Sequence, residues 1–358
     1  MQPLAVSPLP LSAQNAYAQL IDAALGADHL RSVSDLSGSF AAKTVKGRTY
    51  WYYQCTQPSG RLTQQYVGPD NDRVRALIAR AREPGSFGEL RPLVRAAVAL
   101  GCSTILPRHA QVLRRLAEYG FFRAGGLLVG THAFVAYGNM LGARWGSQDR
   151  TLDIDFADAG KSLSLALPTT LEVQTHDAIE SLDMGFLPLT SLAGKTGGTF
   201  LVPREPEFRL DFLTSRHRGK DEPFVHPQLN VSLQPMPYME FSLEQVEQAV
   251  VFSGRDAIIV NVPEPARFAL HKLIVYGERR GAFRAKAGKD LAQAAHLLAH
   301  LWDDIPATVE AAITDLKGRG PKWNRALQVG VAALKAQYPA IAARVALMQR
   351  LESGSPGR

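Results

Sequence analysis

Up to residue 119, hydrophobic positions recur mostly every three or four places, with one interruption. This helical spacing predicts helices at residues 13–25, 72–82, 90–100 and 107–119. In the interruption, residues 49–55 and 63–67 are rich in aromatic and β-branched side chains, and Pro58, Ser59 and Gly60 between them favour a turn. A β-hairpin set among helices is therefore expected.

Beyond residue 120 the pattern changes, and short apolar runs appear that are typical of strands. Strands are expected at residues 126–129, 151–157, 162–167, 199–202 and 208–214. Helical spacing returns between them at residues 131–141 and 175–184. Short helices mixed with strands in this way indicate an α+β fold, with a mixed sheet and flanking helices.

After a last strand at residues 257–262, Pro263 and Pro265 open a part with helical spacing throughout. Helices are expected at residues 266–276, 286–301, 305–317, 323–336 and 340–351. These changes predict four parts, namely an N-terminal accessory region (1–106), a central α+β domain (107–262), a C-terminal helical domain (263–352) and a flexible tail (353–358).

Length and composition fit a folded protein of two or three domains, since 46% of the 358 residues are hydrophobic and 20% are charged. The apolar runs fall far short of the roughly 20 residues that cross a bilayer, and the N-terminus does not resemble a secretory signal. We therefore expect a cytoplasmic protein without a membrane span. The net charge of +7 favours polyanionic partners such as nucleic acid or nucleotides, without selecting one.

Three aspartates stand between apolar residues in the central strands. Asp153 and Asp155 are two positions apart, so on a strand their side chains share one face, about 6 to 7 Å apart at the backbone. Asp211 joins them if its own strand lies alongside. Close and rigidly held carboxylates suit two Mg²⁺ ions about 4 Å apart, because hard cations prefer oxygen ligands. The sequence therefore predicts a divalent-metal site.

Gly130 and Thr131 follow the strand at residues 126–129, at its turn into a helix. The first backbone amides of a helix bind phosphate oxygens, and a threonine hydroxyl adds a further donor. This turn therefore predicts a phosphate site to accompany the metal site.

Together these residues resemble the DNA polymerase beta-like nucleotidyltransferase superfamily, whose pattern is an apolar residue, Gly and Gly or Ser, then Asp-apolar-Asp and a later single Asp. The resemblance covers residues 126–214, and the segments 130–137 and 150–155 look like a bacterial branch of nucleotidyltransferase-fold proteins. The chain departs from the pattern in two respects. Thr131 replaces the usual Gly or Ser, and 21 residues separate it from Asp153, which is more than usual.

The resemblance implies a nucleotidyltransferase that uses two Mg²⁺ or Mn²⁺ ions to move a nucleoside monophosphate from an NTP to a hydroxyl group, releasing pyrophosphate. Asp153 and Asp155 would ligate both metals. Asp211 would ligate the catalytic metal and help to deprotonate the acceptor hydroxyl. Gly130 and Thr131 would bind the triphosphate, and residues 107–262 would be the catalytic domain.

A triphosphate needs further cations, and several basic residues are candidates. Arg144 and Arg150 flank the extra residues between the turn and the aspartates, where they either reach phosphate or lie on a solvated loop. Lys272 is a candidate for the γ-phosphate. Lys289 with Asp290 resembles the Lys-Asp pair of related toxins and antibiotic-modifying enzymes, where the carboxylate joins acceptor handling. For these helical residues, a solvated surface charge is the alternative.

The acceptor is left open among RNA, including tRNA as in toxin-type relatives, a protein hydroxyl and a small molecule. Aromatic residues of the hairpin interleave with basic ones, which suits either RNA stacking or packing on the neighbouring helices. The alternative from another class is a nucleic-acid-binding protein that keeps the nucleotidyltransferase fold without catalytic activity. Retention of all three aspartates favours the enzyme, because adjacent carboxylates repel one another.

Overall fold

The structure is a computed structural model that describes residues 6–34, 38–45, 47–56, 62–82, 87–146, 151–158, 173–190, 196–216, 222–254, 256–279, 284–341 and 343. Within these ranges, we find no helix with the length and apolar character needed to cross a membrane.

The N-terminal region combines helices with a small antiparallel sheet. Its elements are β1 (Ser7–Pro8), α1 (Leu11–Ser34), β2 (Gly38–Val45), β3 (Arg48–Thr56), β4 (Leu62–Pro69), α2 (Asp72–Arg82) and α3 (Phe87–Leu100). The two strands of the predicted hairpin are confirmed, and the predicted turn at residues 58–60 lies outside the described residues. Strand β2, whose small and polar residues give a weak strand pattern, adds a third strand beside β3.

The central part contains most of the strands. Its elements are α4 (Pro107–Glu118), β5 (Gly126–Val129), α5 (Gly130–Met140), β6 (Ala143–Arg144), β7 (Ile154–Asp158), α6 (Thr175–Glu180), β8 (Leu187–Thr190), β9 (Thr196–Val202), β10 (Glu205–Ser215), β11 (Phe224–His226), β12 (Val231–Met236), α7 (Met239–Leu243), β13 (Val246–Ser253) and β14 (Asp256–Pro263). The predicted strand at residues 162–167 lies outside the described residues.

Strand β10 is the centre of a mixed sheet. It runs parallel to β7 on one side and pairs with β12, in parallel, and β9, antiparallel, on the other. Strand β5 pairs antiparallel with β7, and β11 pairs antiparallel with β12. The predicted α+β fold with a mixed sheet is confirmed, and the parallel pairs lie at the centre of the sheet.

Alternation along β7 and β10 separates the core from the other face of the sheet. Ile154, Phe156, Leu210 and Phe212 are fully buried, and the rings of Phe156 and Phe212 stack at 5.0 Å between centroids. The residues between them are only partly buried. Packing of these large apolar side chains on one face therefore fixes the register of β7 and β10. That register in turn positions the residues on the opposite face.

The C-terminal part is helical, with α8 (Pro265–Glu278), α9 (Arg284–Asp304), α10 (Pro306–Gly318) and α11 (Pro321–Gln337). Most of the predicted helix at residues 340–351 lies outside the described residues. One buried apolar cluster extends from Ile105 to Ile341, so the central sheet and these helices share a core. A second cluster packs α1 and α3 against β13 and β14. The division into domains at residues 106 and 262 stays a prediction.

Several predicted elements differ in extent; helix α1, for example, continues to Ser34 beyond its predicted end at residue 25. The strand expected at residues 151–157 begins only at Ile154, so Asp153 immediately precedes it. The helix expected at residues 175–184 ends at Glu180, and the positive φ of Asp183 (54°) marks the turn that follows. Strand β13 was not predicted, although Ala249 to Phe252 are buried where it pairs with β14.

Candidate metal and nucleotide site

The three aspartates lie together at the sheet. Asp155 on β7 and Asp211 on β10 are register partners of adjacent parallel strands, and Asp153 comes just before β7. One carboxylate oxygen from each of the three lies within 4.8 Å of the other two. We call Asp153, Asp155 and Asp211 the acid cluster. Its oxygens are close enough together to serve as ligands of one divalent ion.

Gly130 lies directly against the acid cluster. It has a φ of +63°, in the left-handed region, and a Cβ atom built on it would lie 2.1 Å from Asp155 Oδ2. Only glycine fits both the backbone and the space, because any other residue adds that atom. Helix α5 begins here, so its first backbone amides lie beside the acid cluster. The Thr131 hydroxyl accepts a hydrogen bond from Gln293 Nε2 at 3.4 Å.

Basic and hydroxyl side chains contact two members of the acid cluster. Lys286 Nζ lies 2.6 Å from Asp153 Oδ2, and the Thr151 hydroxyl also donates to Asp153. Asp211 accepts from the Thr199 hydroxyl at 2.7 Å and pairs with Arg209 Nε at 2.9 Å. A second guanidinium nitrogen of Arg209 lies 3.8 Å from Asp153. Positive charge therefore reaches the cluster from β10 and α9.

The carboxyl groups of the acid cluster differ in acidity. Burial, together with the charges of Asp153 and Asp211, raises the pKa of Asp155 to about 7. Burial also acts on Asp153, but hydrogen bonds from Lys286 and Thr151 outweigh it and hold the pKa of Asp153 below its usual range. Two like charges this close resist simultaneous ionisation, which is the electrostatic condition that a bound cation relieves.

A cavity of about 550 Å³ opens over the acid cluster. Gly130 and Thr131 line it on one side, and helices α8 and α9 line it on the other. The basic residues in its lining are Arg209, Lys272, Arg279, Lys286 and Lys289. We call it the cationic cavity. Its volume lies within the range of about 300 to 1,000 Å³ that is typical of small-ligand sites.

Lys272, Lys289 and Asp290, which the family resemblance suggested, all line the cationic cavity. Lys272 Nζ lies 2.7 Å from Asp290 Oδ1, and Arg279 also pairs with Asp290. These cations outweigh the effect of burial and lower the pKa of Asp290. Burial lowers the pKa of Lys289. Their roles in binding stay predictions, since the structure shows only where they lie.

The phosphate role of Arg144 stays a prediction, and the structure places this residue away from the cationic cavity. Its Nε donates to the backbone carbonyl of Gly101 at 3.2 Å, and Arg144 does not line the cationic cavity. The reason is the pairing of its strand, since Arg144 on β6 is the register partner of Ser7 on β1. Arg150 lies outside the described residues.

Several lining residues were not predicted. Arg209 lies two positions before Asp211 on β10, and that same-face spacing is a signal that the sequence does contain. Gln234, Met236 and Tyr238 line the cationic cavity from the end of β12 and the segment after it. Their place depends on the pairing of β12 with β10, for which the local pattern gives no signal.

The nucleotidyltransferase class has the features described above. They are a mixed sheet with clustered carboxylates, a glycine at a strand-to-helix turn and a cavity rich in basic residues. A family model described as nucleotidyltransferase matches residues 107–317. This match spans more than half of the chain, so the protein belongs to the nucleotidyltransferase family.

Other comparisons are more distant. A search of curated proteins gives no match. Among solved structures, the chain is similar to an antigenic nucleotidyltransferase-like protein from Paracoccidioides brasiliensis, with 14% sequence identity and a TM-score of 0.30. That similarity covers 63% of this chain and 95% of the other.

Proposed function

We propose that this protein is a Mg²⁺- or Mn²⁺-dependent nucleotidyltransferase that transfers a nucleoside monophosphate from an NTP to a hydroxyl acceptor and releases pyrophosphate. One observation carries the proposal. Three carboxylates with oxygens within 4.8 Å of one another border a cavity that five basic side chains also line. Acids at this spacing suit a divalent ion, and the basic residues suit a polyphosphate.

The donor set supports a divalent metal on chemical grounds. All three candidate ligands are carboxylates, which are preferred by hard cations such as Mg²⁺ and Mn²⁺. The close approach of Gly130 to Asp155 keeps that carboxylate beside the helix N-terminus, where metal and phosphate would meet. Asp153, Asp155 and Asp211 would hold the ions. When bound, such ions neutralise developing charge on phosphate oxygens and lower the pKa of a coordinated hydroxyl.

The protein's own residues would bind and orient the donor. Amides at the start of α5 and the Thr131 hydroxyl would donate to the triphosphate, while Lys272, Lys286 and Lys289 would neutralise its charge. In the transfer, the acceptor oxygen bonds to the α-phosphorus as the bond to the bridging oxygen breaks. The electron pair leaves with pyrophosphate, and the hydroxyl proton passes to the carboxylate of Asp211.

We also propose that the C-terminal helices complete the catalytic site. The acid cluster belongs to residues 107–262, whereas Lys272, Lys286 and Lys289 come from α8 and α9. Because both parts line the cationic cavity, neither supplies all of its candidate ligands. A helical part that closes over the sheet would exclude water from the transfer.

Incubation with each α-labelled NTP in turn, with Mg²⁺ or Mn²⁺, tests the proposal. Total RNA, cell extract protein and a small-molecule extract serve as separate acceptor pools. Label transfer is expected from the wild type and from the control Asp22→Asn, an exposed aspartate on α1, but not from Asp153→Ala. RNA retention without label transfer, unaffected by Asp153→Ala, would instead support the inactive nucleic-acid-binding protein. Absence of both would contradict both.

A further inference from the structure

A second cavity, of about 660 Å³, approaches the acid cluster without sharing a lining residue with the cationic cavity. The two cavities come close at two points along the chain. Thr131 and Asp153 line the cationic cavity, whereas their chain neighbours His132 and Leu152 line the second one. Thr151, also in the second lining, donates its hydroxyl proton to the Asp153 carboxylate. A ligand there would therefore lie beside the acid cluster.

The described linings of the two cavities differ in charge. The lining of the second cavity, as far as the chain is described, contains no Lys, Arg, Asp or Glu; it consists of Thr104, Ile105, Leu106, Pro107, His109, His132, Val135, Thr151 and Leu152. We call it the neutral cavity. Apolar walls with a few polar groups favour an uncharged organic ligand, because a phosphate backbone would lose its hydration without gaining cations.

Two buried histidines provide the polar groups of the neutral cavity. His109 and His132 are only 1% and 3% exposed, and His109 Nδ1 lies 2.9 Å from His132 Nε2. Burial lowers the pKa of His109 to about 4 and that of His132 to about 3, so both rings are neutral at physiological pH. Stacking on Phe208, at 5.4 Å between ring centroids, orients the His109 ring.

The outer nitrogens of this pair, His109 Nε2 and His132 Nδ1, are buried and have no hydrogen-bond partner among the described residues. Each neutral imidazole carries one donor and one acceptor nitrogen. One inner nitrogen donates to the other, so the outer nitrogens must comprise one donor and one acceptor, whichever tautomers are present. Both nitrogens are covered by protein atoms, so a ligand reaches them only if the side chains over them move. Buried polar groups without a partner are costly, so a ligand that then offers the complementary acceptor and donor would gain two hydrogen bonds.

We propose that the neutral cavity is the acceptor subsite, and that its acceptor is an uncharged small molecule containing a ring and a hydroxyl group. The proposal rests on the proposed nucleotidyl transfer. The ring would lie against Ile105, Leu106 and Val135. Its hydroxyl would face Asp153. In the transfer, the hydroxyl oxygen would bond to the α-phosphorus, and pyrophosphate would leave with the electron pair of the broken bond. The proton would pass to the acid cluster.

Ligand-observed NMR tests the subsite without turnover. The probe is 4-(hydroxymethyl)benzamide, which is uncharged and offers an amide donor and acceptor. Its anionic analogue, 4-(hydroxymethyl)benzoate, has nearly the same shape. Leu106→Trp and Leu152→Trp introduce bulk at the two walls, since these leucines are 44% and 41% exposed. Leu189→Trp is the matched control, because Leu189 is 47% exposed and lines neither cavity.

The amide should bind to the wild type and to Leu189→Trp, and about tenfold or more weakly to both blocking variants. Any binding of the benzoate should be unchanged by Leu106→Trp, because the cationic cavity remains open. Thermal unfolding of each variant checks that it is folded. Absence of amide binding, binding that survives both blocking variants, or equal loss of benzoate binding would overturn the proposal. Displacement of the amide by an oligoribonucleotide would also overturn it, in favour of an RNA acceptor.

Mn²⁺ calorimetry on the same wild-type preparation separates this proposal from the proposed function. Mn²⁺ binding without amide binding would remove the acceptor subsite and leave the nucleotidyltransferase proposal standing. If the amide binds in a manner sensitive to Leu106→Trp but Mn²⁺ does not bind, the proposal of nucleotidyl transfer is contradicted. The neutral cavity would then still be a ligand site.

Discussion

Replacement of Gly130 by alanine tests how closely this glycine is packed against the acid cluster. The new Cβ would lie 2.1 Å from Asp155 Oδ2 and 2.9 Å from its Cγ, so the carboxylate must move. The left-handed backbone adds a separate cost of about 1 to 2 kcal/mol for a residue with a Cβ atom. Forcing Asp155 away from its preferred rotamer adds roughly 0.5 to 1.5 kcal/mol more.

Gly185→Ala supplies the matched control for the backbone cost. Gly185 has a φ of +76°, similar to the +63° of Gly130, but nothing lies within 4 Å of its Cβ position. The difference between the two variants in free energy of unfolding therefore reports the contact with Asp155. Gly130→Ala should be less stable than Gly185→Ala by about 1 kcal/mol, and only Gly130→Ala should weaken Mn²⁺ binding, by about tenfold or more.

Denaturant unfolding and Mn²⁺ calorimetry on both single variants measure these effects. The double variant Gly130→Ala/Asp155→Ala removes the two carboxylate atoms nearest to the new methyl group. Compared with Asp155→Ala alone, it should therefore show little of the excess cost of Gly130→Ala. Equal costs for Gly130→Ala and Gly185→Ala, together with unchanged Mn²⁺ binding, would refute the packing of Gly130 against Asp155.

Three further predictions concern charge. Because the pKa of Asp155 is raised to about 7, Mn²⁺ must displace a proton from this carboxyl group below that pH. The Mn²⁺ affinity measured by calorimetry should therefore rise about tenfold per pH unit up to pH 7 and then level off. A flat profile would contradict this prediction. A carboxyl group whose pKa is raised by folding contributes stability at low pH, and this contribution is lost as the pH rises through 7. Without metal, Asp155→Asn should therefore increase the thermal unfolding midpoint more at pH 8 than at pH 5. A larger increase at pH 5 would contradict this prediction. Lys286→Met removes a half-exposed cation 2.6 Å from Asp153, so NTP affinity measured by fluorescence titration should fall about tenfold, whereas Lys335→Met on α11 should leave it unchanged.

Local alternation was enough to predict the face of the sheet on which Asp155 and Asp211 lie. Ile154, Phe156, Leu210 and Phe212 are apolar at every second position, so they identify the buried face and leave Asp155 and Asp211 on the other. Their adjacency in parallel strands required the pairing of β7 with β10, which the superfamily resemblance implied. The glycine was predicted for its amides, and its closeness to Asp155 appears only in three dimensions.

Long-range pairing explains most of what the sequence did not predict. Arg144 was a candidate either for phosphate or for a solvated loop, and its contact with Gly101 depends on the pairing of β6 with β1. The neutral cavity was not predicted either, since His109 and His132 come from two helices that are 23 positions apart at the point of contact. His132 directly follows Gly130 and Thr131 in the sequence, but nothing local links it to His109.

The most direct test of the central claim is an anomalous difference map from crystals of the protein soaked in Mn²⁺. The claim is that Asp153, Asp155 and Asp211 form a divalent-metal site. A peak should appear within coordination distance of all three carboxylates, and it should be missing in crystals of Asp155→Asn. A well-ordered acid cluster without a peak, or Mn²⁺ bound only elsewhere on the protein, would contradict the claim.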